Sequence, residues 1–513
     1  LELLAWHQKC GPLSEADATG GCVGGVLFSP QAAGQKTQLD GGTTMIEAGV
    51  SNRLDDHVKS KAGFRIADAA RTVSLVLVAV IILSLLTLSL PSNGYAVASA
   101  ASMRRIAVEL VAGRSTFTVT IDSKHVSAKF PAGFTPFRTT SGIAFPLRSV
   151  IEAAGGTVRY EKAQNTVYFA LGPVMGAYDL SSKTLIDGTY AETNRKDLFR
   201  VVGKSGTLYV TDAVLKSLVS QAAGTVSVTT KGGSSTVVCQ VPSVVKDVLG
   251  TIHDSFPAKA GRMRLVTLAP NLCENCFALG QGSNVIATSE YTDFPEAATK
   301  IPTVGAFSSP SLEKLLVLSP DLILVTDGTP LAVVDRLKKM GRSVYADNPQ
   351  SLDAIVSAIR QLSIVLGVPD HGFEVALSMH RSIAKVAAAA AKLPRKPSVY
   401  VEIWNSPLMS AGKGTFVSDL VTVAGGTNIG DETSTAWPTL SEEFVIGHNP
   451  DVIMVASGMG AGDVTGRTSF ATVKAVKLNQ VYDIFGDYIF RPSPRIIQGL
   501  ELIAGYVQRA ARH

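Results

Sequence analysis

The sequence predicts an α/β protein: two lobes, each a parallel sheet covered by helices, bridged by one long helix and preceded by a small α+β domain and an N-terminal apolar helix. Three observations predict it. From about residue 262 onward, buried-strand and amphipathic-helix patterns alternate, the signature of parallel sheets with helices on their faces. HGFEVALSMHRSIAKVAAAAAKL, from His371 to Leu393, is Ala-rich and unbroken, divides that region in two, and is stopped by Pro394 and Pro397. Finally, SLEKLLVLSPDLILVT (311–326) recurs in degraded form as SEEFVIGHNPDVIMVA (441–456), one helix, Pro-Asp turn and buried strand for each lobe.

A chain of 513 residues has room for about three domains at ~150 residues each. Its composition is globular, with 46% hydrophobic and 17% charged residues. The net charge of +5 is thinly spread, and no basic block or basic-aromatic interleaving marks a nucleic-acid footprint. Nucleic acid is therefore excluded as a partner. Residues 1–44 lack periodicity and are expected to be disordered or an upstream over-translation, with Met45 the expected start. Residues 45–101 read as a signal peptide or membrane anchor. Thr72 to Leu90 carries no charge and, at 1.5 Å per residue, nearly spans a hydrocarbon core of ~30 Å. Lys59, Lys61, Arg65 and Arg71 precede it, which keeps that flank cytoplasmic. Ala96, Ala98 and Ala100 offer A-x-A cleavage sites, so a cleaved export signal and an uncleaved anchor both fit. No Cys lies close enough to form a lipobox. The rest of the chain is then extracytoplasmic, in the periplasm or on the outer face of the membrane.

From 105 to 241 short alternating strands (STFTVTI, TVRYE, NTVYFAL, TLYVT) are separated by turn residues, with FPLRSVIEAAGG as a short helix ended by glycines. GIAFPLRSVIEAAGGTVRYEKAQNTVYFAL resembles the copper amine oxidase N-terminal-like, or stalk, domain, and TLYVTDAVLKSLVSQAAGTVSVTT is a weaker second copy. The domain's one His, His125, is expected on the surface, and without a His cluster no copper is expected. The resemblance implies a spacer or a cell-envelope contact. Residues 242–260 read as a linker or short helix.

Residues 261–370 form the expected lobe 1, 371–394 the bridging helix and 395–513 lobe 2. Strands are expected at RLVTLAP, NVIATS, LILVT and SVYAD, then at SVYVEIW, VIMVA and QVYDIF. The repeat places Pro320 with Pro450, Asp321 with Asp451 and Glu313 with Glu443. An acid early in a helix is favoured by the dipole by ~0.3–1 kcal/mol, which explains either Glu alone. A matched pair, one on each lobe, suits a partner carrying two copies of a basic patch.

Residues 262–513 resemble the substrate-binding proteins of ABC importers, in the helical-backbone class that receives cobalamin, iron-siderophores and haem. The motifs are RLVTLAPN…ALG, YTDFPEAATKIPTVGAF, SLEKLLVLSPDLILV, SAGKGTFVSDLVTVAGGTNI, WPTLSEEFV and SPRIIQGLE. The resemblance implies two Rossmann-like lobes, Glu313 and Glu443 docking onto arginines of a permease dimer served by its ATPase, and no required cofactor.

Ligands of open α/β sheets lie at strand C-terminal ends. Those ends carry Tyr291, Phe294, Phe307, Trp404, Met409, Trp437, Asp487, Tyr488 and Arg491. Aromatic faces with one acid and one base suit a large, flat, mostly neutral ligand edged with amides. GDYIFRPSPR resembles the Asp-aromatic-x-x-Arg-x-Ser-Pro-Arg loop of the vitamin B12 receptors of this class, which implies corrin-amide contacts for Asp487 and Arg491. Tyr291 and Trp437 match pocket aromatics there; Phe307 replaces a Trp, and Thr326 stands where another Trp is found. A corrinoid is the expected ligand, with haem (axial ligand Tyr291, Tyr488 or Met409) or a ferric siderophore (Arg491 and Lys413) the alternative. A bare-metal site is not expected, since the region's His371, His380, His448 and His513 form no cluster with carboxylates.

CENC (Cys273–Cys276) departs from the family pattern. A CxxC thiol at a helix N-terminus has a lowered pKa and suggests redox work, a contact to the ligand's metal, or a plain disulfide. No P-loop, G-x-S-x-G, HExxH or second Cys group accompanies it, so no enzyme is expected. A structural wall protein would leave the strand-end aromatics without a role.

Overall fold

The computed structural model describes residues 103–132, 134–139, 142–194, 200–202 and 207–513. The apolar segment 72–90 and the expected start at Met45 lie outside the described residues. Among the described residues no helix is long and apolar enough to cross a membrane.

The first domain builds three antiparallel sheets. Strands β1 (Met103–Val111), β2 (Thr116–Ile121) and β3 (Lys124–Lys129) open it; β4 (Phe137–Thr139), β5 (Gly142–Pro146) and helix α1 (Leu147–Ala153) follow. Next come β6 (Thr157–Glu161), β7 (Thr166–Leu171), β8 (Val174–Asp179), β9 (Thr184–Ile186) and β10 (Glu192–Asn194). It ends with β11 (Arg200–Val202), β12 (Thr207–Thr211), α2 (Asp212–Gln221), β13 (Thr225–Lys231) and β14 (Ser234–Pro242). The sheet orders are β13-β14-β1-β2-β3, β10-β9-β8-β7-β6 and β11-β12-β5-β4. His125 is exposed, its Nδ1 2.8 Å from Thr120 Oγ1.

β7 and β8 break the usual alternation. A sheet with one wet face reads buried-exposed in turn, yet all of Thr166–Leu171 is buried. Val167, Phe169 and Leu171 pack into the first domain's own core. Tyr168 and Ala170 point the other way, into a second core shared with the rest of the protein.

The expected linker is a hairpin, not a helix: β15 (Val244–Lys246) pairs antiparallel with β16 (Ile252–Asp254). Val245, Val248, Leu249 and Ile252 are spaced as a helix face would be, but a turn at Asp247 wins. Its Oδ1 accepts Leu249 N (3.0 Å) and Thr251 N (2.8 Å), and its Oδ2 accepts Ala346 N (3.0 Å). Phe256 then seats on the first domain, its ring 4.2 Å below the Arg104 guanidinium. Gly172, at φ +58°, leaves the room: a Cβ there would meet that ring at 2.8 Å.

Lobe 1 contains β17 (Leu265–Thr267), α3 (Pro270–Ala278), β18 (Val285–Thr288), the two-residue strands β19 (Gly305–Ala306) and β20 (Ser309–Pro310), α4 (Leu312–Leu318), β21 (Leu322–Thr326), α5 (Leu331–Lys339), β22 (Val344–Asp347) and α6 (Leu352–Val365). Its sheet, β18-β17-β21-β22, is parallel throughout. The bridging helix α7 runs Pro369–Ala390, starting earlier than the periodicity suggests because Pro369 suits the first helical turn.

Lobe 2 contains β23 (Ser398–Glu402), β24 (Trp404–Asn405), β25 (Leu408–Met409), α8 (Phe416–Val423), β26 (Thr427–Asn428), α9 (Glu442–His448), β27 (Val452–Val455), α10 (Ala461–Gly466), α11 (Lys474–Lys477), β28 (Val481–Asp483), α12 (Asp487–Phe490) and α13 (Ile496–Ala510). The sheet β26-β23-β27-β28 is again parallel. In each lobe alternate strand residues face opposite ways. Val266, Ile323 and Val344 serve lobe 1's outer core, and Tyr400, Ile453 and Val455 serve lobe 2's. Leu265, Leu322, Val399 and Met454 face the shared central core with α6, α7 and α13.

The written-twice unit folds twice in the same way. Ser311 Oγ caps α4 by accepting Lys314 N at 3.3 Å, and Ser441 Oγ caps α9 by accepting Phe444 N at 3.2 Å. Both helices leave through a left-handed residue, Ser319 (φ 43°) and Asn449 (φ 45°). Asp321 Oδ2 then accepts Arg264 N at 2.8 Å, and Asp451 Oδ2 accepts Ser398 N at 2.9 Å. Each Pro-Asp turn thus ties its own strand to the neighbouring one.

Candidate binding site between the lobes

Beyond the strand ends the two lobes meet through buried charge. Arg491, 5% exposed, follows α12 in lobe 2 and reaches lobe 1. Its Nη1 donates to Glu274 Oε1 (3.0 Å) and Asp293 Oδ1 (2.5 Å), and its Nη2 to Asp293 Oδ2 (3.2 Å). Asp487 Oδ2 lies 3.0 Å from Nη2 on its other side. Arg495 adds Nε to Glu274 Oε2 (2.9 Å) and Nη2 to Glu274 Oε1 (2.5 Å), and Ser493 Oγ donates to Glu274 Oε2 (2.6 Å). Glu274, 3% exposed, is therefore the hub. Sequence reasoning missed it because it lies between the two cysteines that drew attention; a carboxylate in the first turns of an apolar helix was the available signal.

Three carboxylates (Glu274, Asp293, Asp487) meet two guanidiniums here, and the excess negative charge falls on Asp487. Burial pushes its carboxyl up to about 6, against the pull of Arg491. Asp293, gripped by Arg491, is instead held below the usual carboxylate range. A carboxyl whose folded pKa exceeds its unfolded 3.8 is more comfortable protonated, so its contribution improves as pH falls through about 6 toward 3.8. The expected gain is on the order of 2 kcal/mol. Acidification from pH 7.5 to 5 should raise stability in urea melts; Asp347, which burial pushes up to about 7, and Asp419, also raised by burial, share in that rise, so Asp487→Asn should remove only a part of it. His448, raised by its Glu432 partner, adds to the rise in both proteins, so their difference isolates Asp487.

The aromatics fall into three groups. On lobe 1 Tyr291 and Phe307 meet edge to face, ring centres 5.8 Å apart. On lobe 2 Trp404 and Met409 are direct cross-strand partners, and Trp437 packs beside them through the pairing of Ser410 N with Pro438 O (3.0 Å) and Gly412 N with Ala436 O (2.8 Å). Between the lobes Arg495 lies over both Phe294 (4.0 Å) and Tyr488 (5.7 Å). Phe294 is 41% exposed; the other aromatics are half-buried. Thr326 Oγ1 is turned to Asp327 Oδ1 (3.1 Å). Glu313 and Glu443 are exposed second residues of α4 and α9, and Glu443 is held below the usual carboxylate range by its own backbone N–H and Ser441.

The expectation for Cys273 and Cys276 is corrected. Both are free and fully buried, so no disulfide joins them. Burial pushes both thiols up, outweighing the helix N-terminus; Cys276 feels Cys273 as well, while Thr288 and Thr267 partly relieve Cys273. No cluster of His, Cys, Asp and Glu able to hold a metal occurs among the described residues. Neither thiol should react with a disulfide reagent in the folded protein, and both should react at once in urea. Lys413, the other base weighed for an anionic ligand, is exposed on the loop before α8.

Residues 265–488 match the family model described as periplasmic binding protein. A vitamin B12-binding protein of Vibrio cholerae is 28% identical over 259 residues, covering 50% of this chain and 92% of the relative. That of Yersinia pestis is 28% identical over 246 residues, covering 47% and 85%. Among solved structures, the periplasmic vitamin B12-binding protein of Vibrio cholerae is 26% identical with a TM-score of 0.45, covering 49% of this chain and 99% of that one. A periplasmic haem-binding protein of Roseiflexus is 26% identical with a TM-score of 0.45, covering 48% and 98%. These relatives are binding proteins, not enzymes. Residues 265–488, rather less than half of the 513-residue chain, are thus similar to the periplasmic binding proteins.

Proposed function

We propose that this protein captures a corrinoid between its two lobes outside the cytoplasm and delivers it to the permease of an ABC importer. The observation that carries the ligand class is a mismatch beside the aromatics. Arg491 Nε and Asn275 Oδ1 are buried without a hydrogen-bond partner, one a donor and one an acceptor. An unmatched buried polar atom costs ~1–3 kcal/mol, and an amide, with its own C=O and N–H, satisfies one of each. Corrinoids are edged with amides and present a broad apolar plane to Tyr291, Phe307, Trp404, Met409 and Trp437. The vitamin B12-binding relatives support the same reading.

Haem is the second reading. It needs an axial ligand, and Tyr291 is the half-buried phenol that meets Phe307 edge to face. Burial and Glu290 push that phenol's pKa up, which disfavours the phenolate ferric haem prefers. Tryptophan quenching and calorimetry with cyanocobalamin, cobinamide, hemin and a ferric siderophore test the choice. One-to-one corrinoid binding, weakened at least tenfold by Trp437→Ala, is the expected result; saturable hemin binding without corrinoid binding overturns the ligand but keeps the importer role.

The membrane attachment through 72–90, the domain limits at 241, 260, 370 and 394, and an envelope contact by the first domain complete the proposal. In it the apolar segment tethers the protein at the outer face of the membrane, where the permease stands.

A further inference from the structure

We propose that the first domain is a clamp on the bridging helix, joining itself and lobe 1 into one body and leaving lobe 2 as the moving part. The seat is the second face of the β6–β10 sheet. Tyr168, Ala170, Met175, Ala177 and Ile186 share one core with Phe373, Ala376 and Leu377 of α7.

Charge fixes the register of that contact. Arg159 on β6 donates from Nε to Asp370 Oδ2 (3.2 Å) and from Nη2 to Glu374, while Nη1 holds Glu161 (3.2 Å). Gln164 Nε2 reaches the other oxygen of Glu374 at 2.8 Å. Asp370 keeps only 6% of its side chain exposed, so it depends on that guanidinium. Further along, Tyr190 stacks on both Phe373 (5.7 Å) and His380 (4.5 Å) of α7. From the other direction Arg360 of α6 donates to Gly188 O at 2.6 Å. Arg381 closes the row on Glu192 of β10 at 2.8 Å, with both side chains about half exposed.

These contacts cover α7 from Asp370 to Arg381, about three turns or ~16 Å, and leave its Ala-rich C-terminal part uncovered. That covered part is the one attached to α6 and lobe 1. The hairpin β15–β16 adds an independent bond to lobe 1, since Asp247 and Val248 meet Ala346 on the edge of its sheet. The first domain makes no comparable set of ion pairs with lobe 2 among the described residues. A single helix lets two lobes pivot; pinned over its first half, it leaves the pivot in residues 382–390.

The test uses the full chain. In hydrogen exchange, Arg159→Ala should speed the amides of 370–381 at least tenfold while those of 452–455 stay unchanged; Arg159→Lys should restore part of the protection, and Arg381→Ala at the rim should change it less than twofold. Unchanged protection in Arg159→Ala overturns the clamp. Spin labels on exposed positions, Ser123→Cys paired with Lys339→Cys or with Lys477→Cys, report the motion, with Cys10 and Cys22 replaced by Ser. The 123–339 distance should be narrow and indifferent to cyanocobalamin or hemin, and the 123–477 distance broader and shifted by the ligand that binds. If neither compound binds, the corrinoid and haem readings fail and the two apo widths still decide. Equal widths, or a 123–339 distance that moves as much as 123–477, overturn the proposal.

Discussion

Glu274→Ala is expected to destabilise the protein by about 3–5 kcal/mol, because it leaves buried cations without their counter-charge. Arg491 and Arg495 both point at the Glu274 carboxylate, at 3.0 Å and 2.5 Å. Asp293 still faces Arg491 after the substitution, but Arg495 keeps only Asp487 at 3.9 Å. Neither arginine can escape by losing its proton, since a guanidinium stays charged in any fold. The cost falls on the contact between the lobes, so urea melts should show the lobes separating before either sheet unfolds. Glu274→Gln keeps the shape and part of the hydrogen bonding and should cost less than Glu274→Ala. A melt within 1 kcal/mol of the parent for Glu274→Ala would mean that the ion cluster does not hold the lobes together.

That hub shows where sequence reading stops. Alternation of strand and helix was legible because it is local: the strands at RLVTLAP, NVIATS, LILVT, SVYAD, SVYVEIW, VIMVA and QVYDIF announce themselves by short apolar runs, whereas the two-residue strands β19, β20, β24, β25 and β26 are too short to leave a pattern. The duplicated unit was legible because a cap, a Pro-Asp turn and a strand keep their spacing in both copies. The partners of Glu274 lie 217 to 221 residues away, and no local pattern encodes such a pairing. The CxxC spacing misled for a related reason. A helix N-terminus lowers a thiol's pKa only where water or a charge can reach it, and burial is a tertiary property. The hairpin at 244–254 misled because helical spacing of four apolar residues was overridden by one Asp side chain and a free sheet edge. By contrast, the clamp left a readable trace: NTVYFAL is apolar on both faces, which a spacer domain with one wet sheet face does not need.

Charge reversal at both Glu313 and Glu443 is expected to abolish delivery while leaving capture intact. Each carboxylate is exposed at the second position of a short helix, remote from the residues that hold the lobes together. Both carboxylates are solvated, so loss of the favourable helix-dipole contact is far too small to unfold the protein. If the two carboxylates meet two copies of one basic patch on a permease dimer, Glu313→Lys or Glu443→Lys puts like charges in contact. Because the sites lie on separate lobes, their effects should add. Uptake of labelled corrinoid by cells carrying the permease should then fall about tenfold for either single variant and about a hundredfold or more for the pair. Calorimetry of the same variants should give the parent's affinity for the ligand. Asymmetric effects, with one Glu decisive and the other silent, would point to a partner that reads only one lobe, and the duplicated helix would then be a relic of the fold rather than a docking device. Uptake unchanged in the double variant would remove these glutamates from delivery altogether.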